Sequence, residues 1–265
     1  MHRACLLAIL ASCAGAEAMS LPATAPAGPE AQLGLHPGES MSFEVQLAGI
    51  LVGEAQLAVG EIGLVDGRRE IVIKSRAATA GAAAMIKNIS DEATTVIDVE
   101  TRRPVSIESV FDMGDKRALA STKIKGSVAE VTYIRSGDKR PQIVKVDFKT
   151  ELLNDMHTAM AELRGWHAVP GTVRTVYVIG GKRLWRIDVK YVGEATIGSH
   201  VGNRRAVIYE GLSYRAKRDL SMESSKPART FRVWLSDDAD RVPLKVTATT
   251  ELGDIVMDLI EYARP

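Results

Sequence analysis

The chain has 265 residues, and its 34 Lys and Arg against 33 Asp and Glu give a formal net charge of +1. This balance gives no electrostatic basis for binding nucleic acid. Both cysteines, Cys5 and Cys13, lie near the N-terminus, so the rest of the chain can form no disulfide, thiolate nucleophile or cysteine-based metal site.

The N-terminus has the pattern of an export signal. Met1–Arg3 is a short positive start, residues 5–10 (CLLAIL) are apolar, and Ala16–Ala18 is an A-x-A cleavage site. We therefore predict a signal peptide over residues 1–18 and an exported, periplasmic protein. A second interpretation stays open, because residues 10–13 (LASC) match a lipobox in which Cys13 would be lipidated and would anchor the chain to a membrane. No later segment has the apolar length of a transmembrane span.

Residues 19–37 are rich in Ala and Pro and have no amphipathic period, which is typical of an extended tether. A single β-rich domain is predicted over residues 38–265. Apolar and polar residues alternate over Met41–Leu47, which buries one face of a strand. In the next run, the small residues Gly53 and Ala55 indicate a place where the sheet bends or another backbone comes close.

Turn signals then separate short β-prone runs along most of the chain. They include Asp66-Gly67, Gly114-Asp115, Ser136–Asp138, Gly180-Gly181 and Gly202-Asn203. Strands of this length and spacing predict a mainly β fold, with one large curved antiparallel sheet or half-barrel, open or closed. Alternation within the strands implies one inward and one wet face.

One segment breaks the β pattern and predicts a central amphipathic helix over residues 152–165, packed on the concave side of the sheet. Asn154 is a candidate N-cap and Gly165 a stop. Apolar residues recur at helical spacing in this segment: Leu152, Leu153, Met156, Met160 and Leu163. Residues 79–89 predict a second short helix or a flexible loop.

Few residues carry candidate chemistry. His157 lies opposite the stripe of Met156 and Met160, which predicts that its side chain faces water. No His or Cys spacing typical of a metal site is present, and no nucleophile elbow or phosphate-binding loop, so neither a cofactor nor an enzyme is expected. Residues 237–240 (DDAD) predict a tight turn. Basic pairs at predicted hairpin tips are expected to be solvated, with anionic lipid headgroups or polyanionic envelope sugars as the alternative contact: Lys139-Arg140 and Lys182-Arg183 are two of them.

The ordered part of the chain resembles the exported bacterial family of domain of unknown function 3108. Residues 37–45 (PGESMSFEV) and 49–55 (GILVGEA) are similar to the opening of that family, and residues 154–160 (NDMHTAM) stand where its members carry a short helix. Residues 233–244 (VWLSDDADRVPL) resemble its W-L-S-D-D-x-x-R-x-P segment. The resemblance implies export, a mainly β fold and a role in the cell envelope. It carries over no catalytic residue.

The leading functional hypothesis is non-enzymatic binding of an apolar or lipid-like ligand inside the curved sheet. It predicts a cavity with eight lining residues, which would form an ordinary core if no ligand is bound: Phe43, Val45, Leu57, Val59, Met156, Met160, Leu244 and Val246. One alternative is a structural or adaptor protein that binds other envelope proteins through an exposed apolar patch or sheet edge. The other is a hydrolase, which would need His157 or His200 beside an acid in a pocket.

Overall fold

The structure of the chain, a computed structural model, describes residues 33–149 and 153–265. The predicted signal peptide, Cys13 and most of the predicted tether lie outside the described residues. In this part of the chain the fold is almost entirely β. The strands are β1 (Ser40–Leu47), β2 (Ile50–Val59), β3 (Gly63–Val65), β4 (Arg68–Thr79), β5 (Ile89–Asp98), β6 (Arg103–Met113), β7 (Lys116–Lys125), β8 (Val128–Arg135), β9 (Gln142–Asp147), β10 (Leu153–Asn154), β11 (Val173–Gly180), β12 (Arg183–Ser199), β13 (Gly202–Ala216), β14 (Arg229–Ser236), β15 (Pro243–Thr250) and β16 (Gly253–Ala263).

These strands form one 16-stranded sheet within the described residues. Its path runs from β10 through β16 to β1 and on to β9, with β3 paired beside β4. Neighbours pair antiparallel except β10 and β11, which are parallel. The path begins at β10 and ends at β9, so the sheet is open and curved, which confirms the predicted fold class.

Bulges and small residues account for part of the curvature. Register shifts interrupt the β1 and β2 pairing between Val45 and Gln46, and the β12 and β13 pairing between Tyr191 and Gly193. Such bulges bend a strand and increase its twist. A Cβ atom on Gly53 would lie 2.3 Å from the carbonyl oxygen of Ala78. The predicted close backbone approach at Gly53 is confirmed.

Within residues 33–149 and 153–265, two helices interrupt the strands. Helix α1 (Gly81–Ile86) is a short exposed helix between β4 and β5, which confirms one of the two alternatives for residues 79–89. Helix α2 (Met156–Gly165) is the predicted central helix. Its N-cap is Asp155 and not Asn154, because the Asp155 side chain accepts the amide of Thr158 and the Thr158 hydroxyl accepts the amide of Asp155. This reciprocal pair satisfies two amides at the helix start, while Asn154 belongs to β10.

The ordered domain begins before residue 38. Leu33 and Leu35 are buried in a core cluster that also contains Ile71, Ile73 and Ile97. Between them, Gly34 has a φ of +61°, and a Cβ atom there would lie 2.1 Å from the carbonyl oxygen of Ala161 in α2. Residues 33–35, which fall within the predicted tether, therefore pack into the core beside α2.

Candidate functional site

The concave side of the sheet encloses a cavity of about 470 Å³. One wall is the inner face of β4 to β8, and the opposite wall is the β11–β12 hairpin at residues 179–185. Asp155 and Met156, at the start of α2, complete its inner end. Its volume lies within the range of about 300–1,000 Å³ that small-molecule sites occupy. The two walls of the cavity are therefore distant from each other in sequence and meet only when the sheet curves.

The walls of this cavity are mainly apolar, its inner end is polar and its opening is cationic. Exposed lining residues lie at the turns after β6 and β8, so we place the mouth at this end, where the turn after β11 also lies. It brings together five basic residues: Lys116, Arg117, Arg135, Lys182 and Arg183. The interior is mainly aliphatic and aromatic: Ala93, Ile107, Phe111, Ala120, Tyr133, Ile179 and Trp185. An elongated ligand with an apolar body and an anionic end matches this arrangement.

The cations at the mouth are held in defined positions. Arg135 forms an ion pair with Asp138 at 3.3 Å. The ammonium of Lys182 lies 4.5 Å from the centre of the Tyr133 ring and donates to the side-chain oxygen of Gln142 at 2.8 Å. Partial burial, together with the neighbouring positive charge of Arg135, lowers the pKa of Lys182. An anion bound beside Lys182 would stabilise its charged form.

One acidic residue in the lining has a strongly shifted titration. Burial, together with the neighbouring negative charge of Glu92, raises the pKa of Asp91 from 3.8 to about 7. Asp91 is therefore largely protonated below neutral pH and gains a negative charge above it. A negative charge on the cavity wall would oppose an anionic ligand.

At the inner end of the cavity, four polar side chains form a continuous hydrogen-bonded chain. Thr95 donates its hydroxyl proton to the carboxylate of Asp155, and its oxygen lies 2.7 Å from Nδ1 of His157. On the other side of the ring, Nε2 of His157 lies 2.9 Å from Oγ of Ser75. His157, Thr95 and Asp155 are buried, and Ser75 and Asp155 line the cavity. We call these four residues the relay.

The proton positions in the relay follow from the single hydroxyl proton of Thr95. Because Thr95 gives that proton to Asp155, it can only accept from Nδ1–H of His157. In the neutral ring, Nε2 then carries the lone pair and accepts from the Ser75 hydroxyl. Burial alone would raise the pKa of Asp155, but hydrogen bonds and charge from His157, with those from Thr95 and the Thr158 amide, lower it to about 2. Asp155 is thus a carboxylate at any pH near neutral.

The prediction that His157 faces water is wrong. Its side chain is only 1% exposed, because the curved sheet surrounds α2 on more than one side and covers the face opposite the Met stripe as well. His200, the other histidine considered for catalysis, lies 3.5 Å from Glu44 on a surface where both side chains are partly exposed. It belongs to neither cavity nor relay.

A second, smaller cavity of about 60 Å³ lies beside the first, and Ser75 and Met156 line both. Five of the eight residues predicted to contact a ligand line it: Phe43, Leu57, Met156, Met160 and Val246. Its volume is too small for an acyl chain, and its surface is almost entirely apolar. The remaining three, Val45, Val59 and Leu244, are buried in the core and line neither cavity. Of the eight, only Met156 contacts the large cavity.

At its other end, α2 is fixed by a buried ion pair that the sequence did not indicate. Arg164 donates to both carboxylate oxygens of Glu39, at 2.6 and 2.9 Å, and to the carbonyl of Asp240 at 2.8 and 3.2 Å. The Tyr262 hydroxyl lies 3.3 Å from a carboxylate oxygen of Glu39 and 3.2 Å from one of Asp240, and its single proton is shared between them. Burial, together with the negative charges of Glu39 and Asp240, raises the pKa of Tyr262, so this hydroxyl stays a proton donor.

Residues 237–240 form the predicted turn, in which the Asp238 carboxylate accepts the amides of Asp240 and Arg241. In the part of the chain that the structure describes, no three His, Cys, Asp or Glu side chains are grouped to hold a metal ion. Across residues 33–149 and 153–265, no helix is both long and apolar enough to cross a membrane.

The comparisons with known proteins agree with the resemblance seen in the motifs. A family model described as "Protein of unknown function (DUF3108)" matches residues 42–260. None of the curated proteins matches the chain in sequence. Among solved structures, a beta-barrel-like protein of domain of unknown function DUF1849 from Brucella abortus superposes with a TM-score of 0.55 at 9% identity, over 85% of this chain and 97% of that one. This likeness supports the fold.

Two further solved structures align at lower similarity. The hypothetical lipoprotein YmcC from Escherichia coli has a TM-score of 0.33 at 8% identity, over 89% of this chain and 90% of its own. The lipoprotein LppX from Mycobacterium tuberculosis has a TM-score of 0.26 at 11% identity, over 85% of this chain and 87% of its own.

Proposed function

We propose that this chain, which belongs to the DUF3108 family, is a non-enzymatic envelope protein that binds an anionic amphiphile with an acyl chain. The large cavity carries the proposal, through its apolar interior and cationic mouth. The acyl chain would lie between the inner face of β4–β8 and the β11–β12 hairpin. The anionic group would lie at the mouth beside Lys116, Arg117 and Lys182. The export that residues 1–18 predict would bring such a protein to envelope lipids.

A cavity-filling substitution tests this proposal. Ala93 lines the cavity from β5, and Ala93→Trp would fill part of its volume. Ala195→Trp, on the exposed surface of β12, is the matched control. Titration with a fluorescent fatty-acid analogue should give saturable binding to the unmodified chain and to the control. Ala93→Trp should weaken binding at least about tenfold, or about 1.4 kcal/mol. Equal binding by all three proteins would refute the assignment of the cavity.

The relay supports a hydrolase as a second candidate function. Ser75, His157 and Asp155 supply a hydroxyl facing the cavity, a base within hydrogen-bond distance and a buried carboxylate. Attack of Ser75 Oγ on an acyl ester would pass its proton through Nε2 of His157 to the leaving alkoxide, and water would then release the acid.

Binding ranks above hydrolysis because of the backbone around Ser75. β4 is hydrogen-bonded on both sides, to β2 and to β5, along the stretch that includes this residue. Its amides are therefore committed to the sheet, whereas acyl transfer needs free donors for the oxyanion. A fluorophosphonate probe decides between the two. Labelling of the unmodified chain that disappears in Ser75→Ala would establish the hydrolase, and no labelling of either would remove it.

A further inference from the structure

One end of the sheet carries apolar side chains that the fold leaves in solvent. In α1, Met85 is 89% and Ile86 is 87% exposed, and α1 has no buried residue. In the β1–β2 hairpin, Ile50 and Leu51 are exposed, as is Leu252 in the β15–β16 turn. We call these five residues the apolar rim. Single exposed apolar residues are ordinary, but five on neighbouring turns are a feature to explain.

The apolar rim lies at the same end of the sheet as the cavity mouth. Gly53, near the start of β2, pairs with Thr79 at the end of β4. α1 follows directly and leads to Ile89, which pairs with Met113 in the cavity lining. The amide of Ala48 donates to the carbonyl of Asp254, which places the turn containing Leu252 beside the β1–β2 hairpin. The rim therefore continues along the sheet into the mouth.

The turns around the mouth are strongly basic. Residues 80–88, 114–117, 135–142 and 180–183 together hold eight Lys and Arg and two Asp and Glu. The two acids, Asp115 and Asp138, are paired with Lys116 and Arg135. The whole chain has a net charge of only +1, so positive charge is concentrated at this end. An anionic surface would be attracted to it.

We propose that this end of the domain docks on an anionic lipid bilayer, with Met85 and Ile86 inserted between headgroups and the basic turns against the lipid phosphates. Exposed apolar residues interspersed with Lys and Arg are typical of interfacial membrane binding. The rim consists of separate hairpin tips and not of one flat apolar face, which favours a fluid surface over a protein partner. The inference deepens the proposed function and rests on it for one consequence: the docked mouth would open towards the lipids that supply its ligand.

Vesicle flotation of the full exported chain tests the docking. Cys13→Ser is included so that no lipid anchor can form. The chain should float with vesicles of phosphatidylglycerol and phosphatidylcholine, and not with phosphatidylcholine alone. Met85→Ser with Ile86→Ser should weaken the binding at least about tenfold. The matched control is Leu64→Ser with Val65→Ser, an exposed apolar pair in β3 at the opposite end of the sheet, and it should float like the parent.

Three results would overturn the docking proposal. They are failure of the parent to float with anionic vesicles at low salt, an equal loss of flotation in the β3 control, and a concentration-dependent dimer that the Met85 and Ile86 substitutions abolish.

The fatty-acid titration separates the docking proposal from the ligand proposal. The variant with Met85→Ser and Ile86→Ser should still bind the soluble fatty-acid analogue. Ala93→Trp should float normally but bind the analogue weakly. If the parent floats normally but does not bind the fatty-acid analogue, the proposal of a ligand in the cavity is refuted and the docking proposal stands.

Discussion

Replacing Arg164 by Met tests how the central helix is held inside the sheet. The side chains of Arg164 and Glu39 are 1% and 0% exposed, and their two N–O distances are 2.6 and 2.9 Å. Met has a helix propensity close to that of Arg, so the substitution removes the charge and its hydrogen bonds with little change to the helix itself. It leaves the Glu39 carboxylate buried with only the His36 amide and the Tyr262 hydroxyl as donors.

Removing one partner of a buried ion pair costs about 3–5 kcal/mol. The bidentate geometry and the further bonds to the Asp240 carbonyl place Arg164→Met near about 4 kcal/mol. In a domain of this size, that loss lowers the Tm by about 8–16 °C. Urea unfolding followed by circular dichroism gives the free energy of unfolding directly, and a thermal scan gives the Tm.

Two further variants decide whether the buried charge is the cause. Arg76→Met removes an ion pair with Glu92 of similar length, 3.1 Å, whose side chains are 59% and 54% exposed, and it should cost no more than about 1 kcal/mol. Arg164→Met combined with Glu39→Leu removes both buried charges and should be more stable than Arg164→Met alone. If the double variant lost as much as the sum of its single variants, an unpaired buried charge would not explain the effect.

Three other substitutions probe the curvature, the cavity wall and the relay. Gly53→Ala should cost about 1–3 kcal/mol in urea unfolding because its Cβ would meet the Ala78 carbonyl, whereas Gly63→Ala, with nothing within 4 Å, should be near neutral. The raised pKa of Asp91, about 7 against 3.8, means that the folded state holds its proton longer than the unfolded state. Stability should therefore fall as pH rises from about 4 to 7, by up to about 4 kcal/mol, and Asp91→Asn should flatten this profile; an unchanged slope would contradict the titration. His157→Gln should cost about 1–3 kcal/mol by leaving relay hydroxyls without a partner, and no measurable loss would show that the relay does not hold the helix.

The parts of the fold that depend on local pattern could be predicted from the sequence. Alternation over Met41–Leu47 fixes which face of β1 is buried, and the small residue Gly53 marks the close approach to β4. The start of α2 shows the limit of local reasoning. Asn154 and Asp155 are adjacent, and both residue types are good N-caps. Asp155 is the N-cap because of its reciprocal hydrogen bonds with Thr158, which are visible only in the folded structure.

The parts that depend on closure of the sheet could not be predicted. Helical spacing separates His157 from the Met stripe, but only the curvature of the sheet determines whether that second face meets solvent. The large cavity has the same origin, because residues 179–185 face β4 to β8 across a long sequence separation. The predicted lining instead followed the alternation of β1 and β2, which leads to the small cavity beside Met156.

The two polar anchors of α2 explain how a helix inside an open sheet can define a binding site. At one end, His157 and Asp155 bond to Ser75 and Thr95 on β4 and β5; at the other, Arg164 bonds to Glu39 ahead of β1. A helix of 10 residues is about 15 Å long, so these bonds fix its axis at both ends against different parts of the sheet. The unbranched side chain of Met156, at the start of this helix, lines both cavities. Under the proposed binding function, the length of acyl chain that the cavity accepts depends on the rotamer of this unbranched thioether side chain.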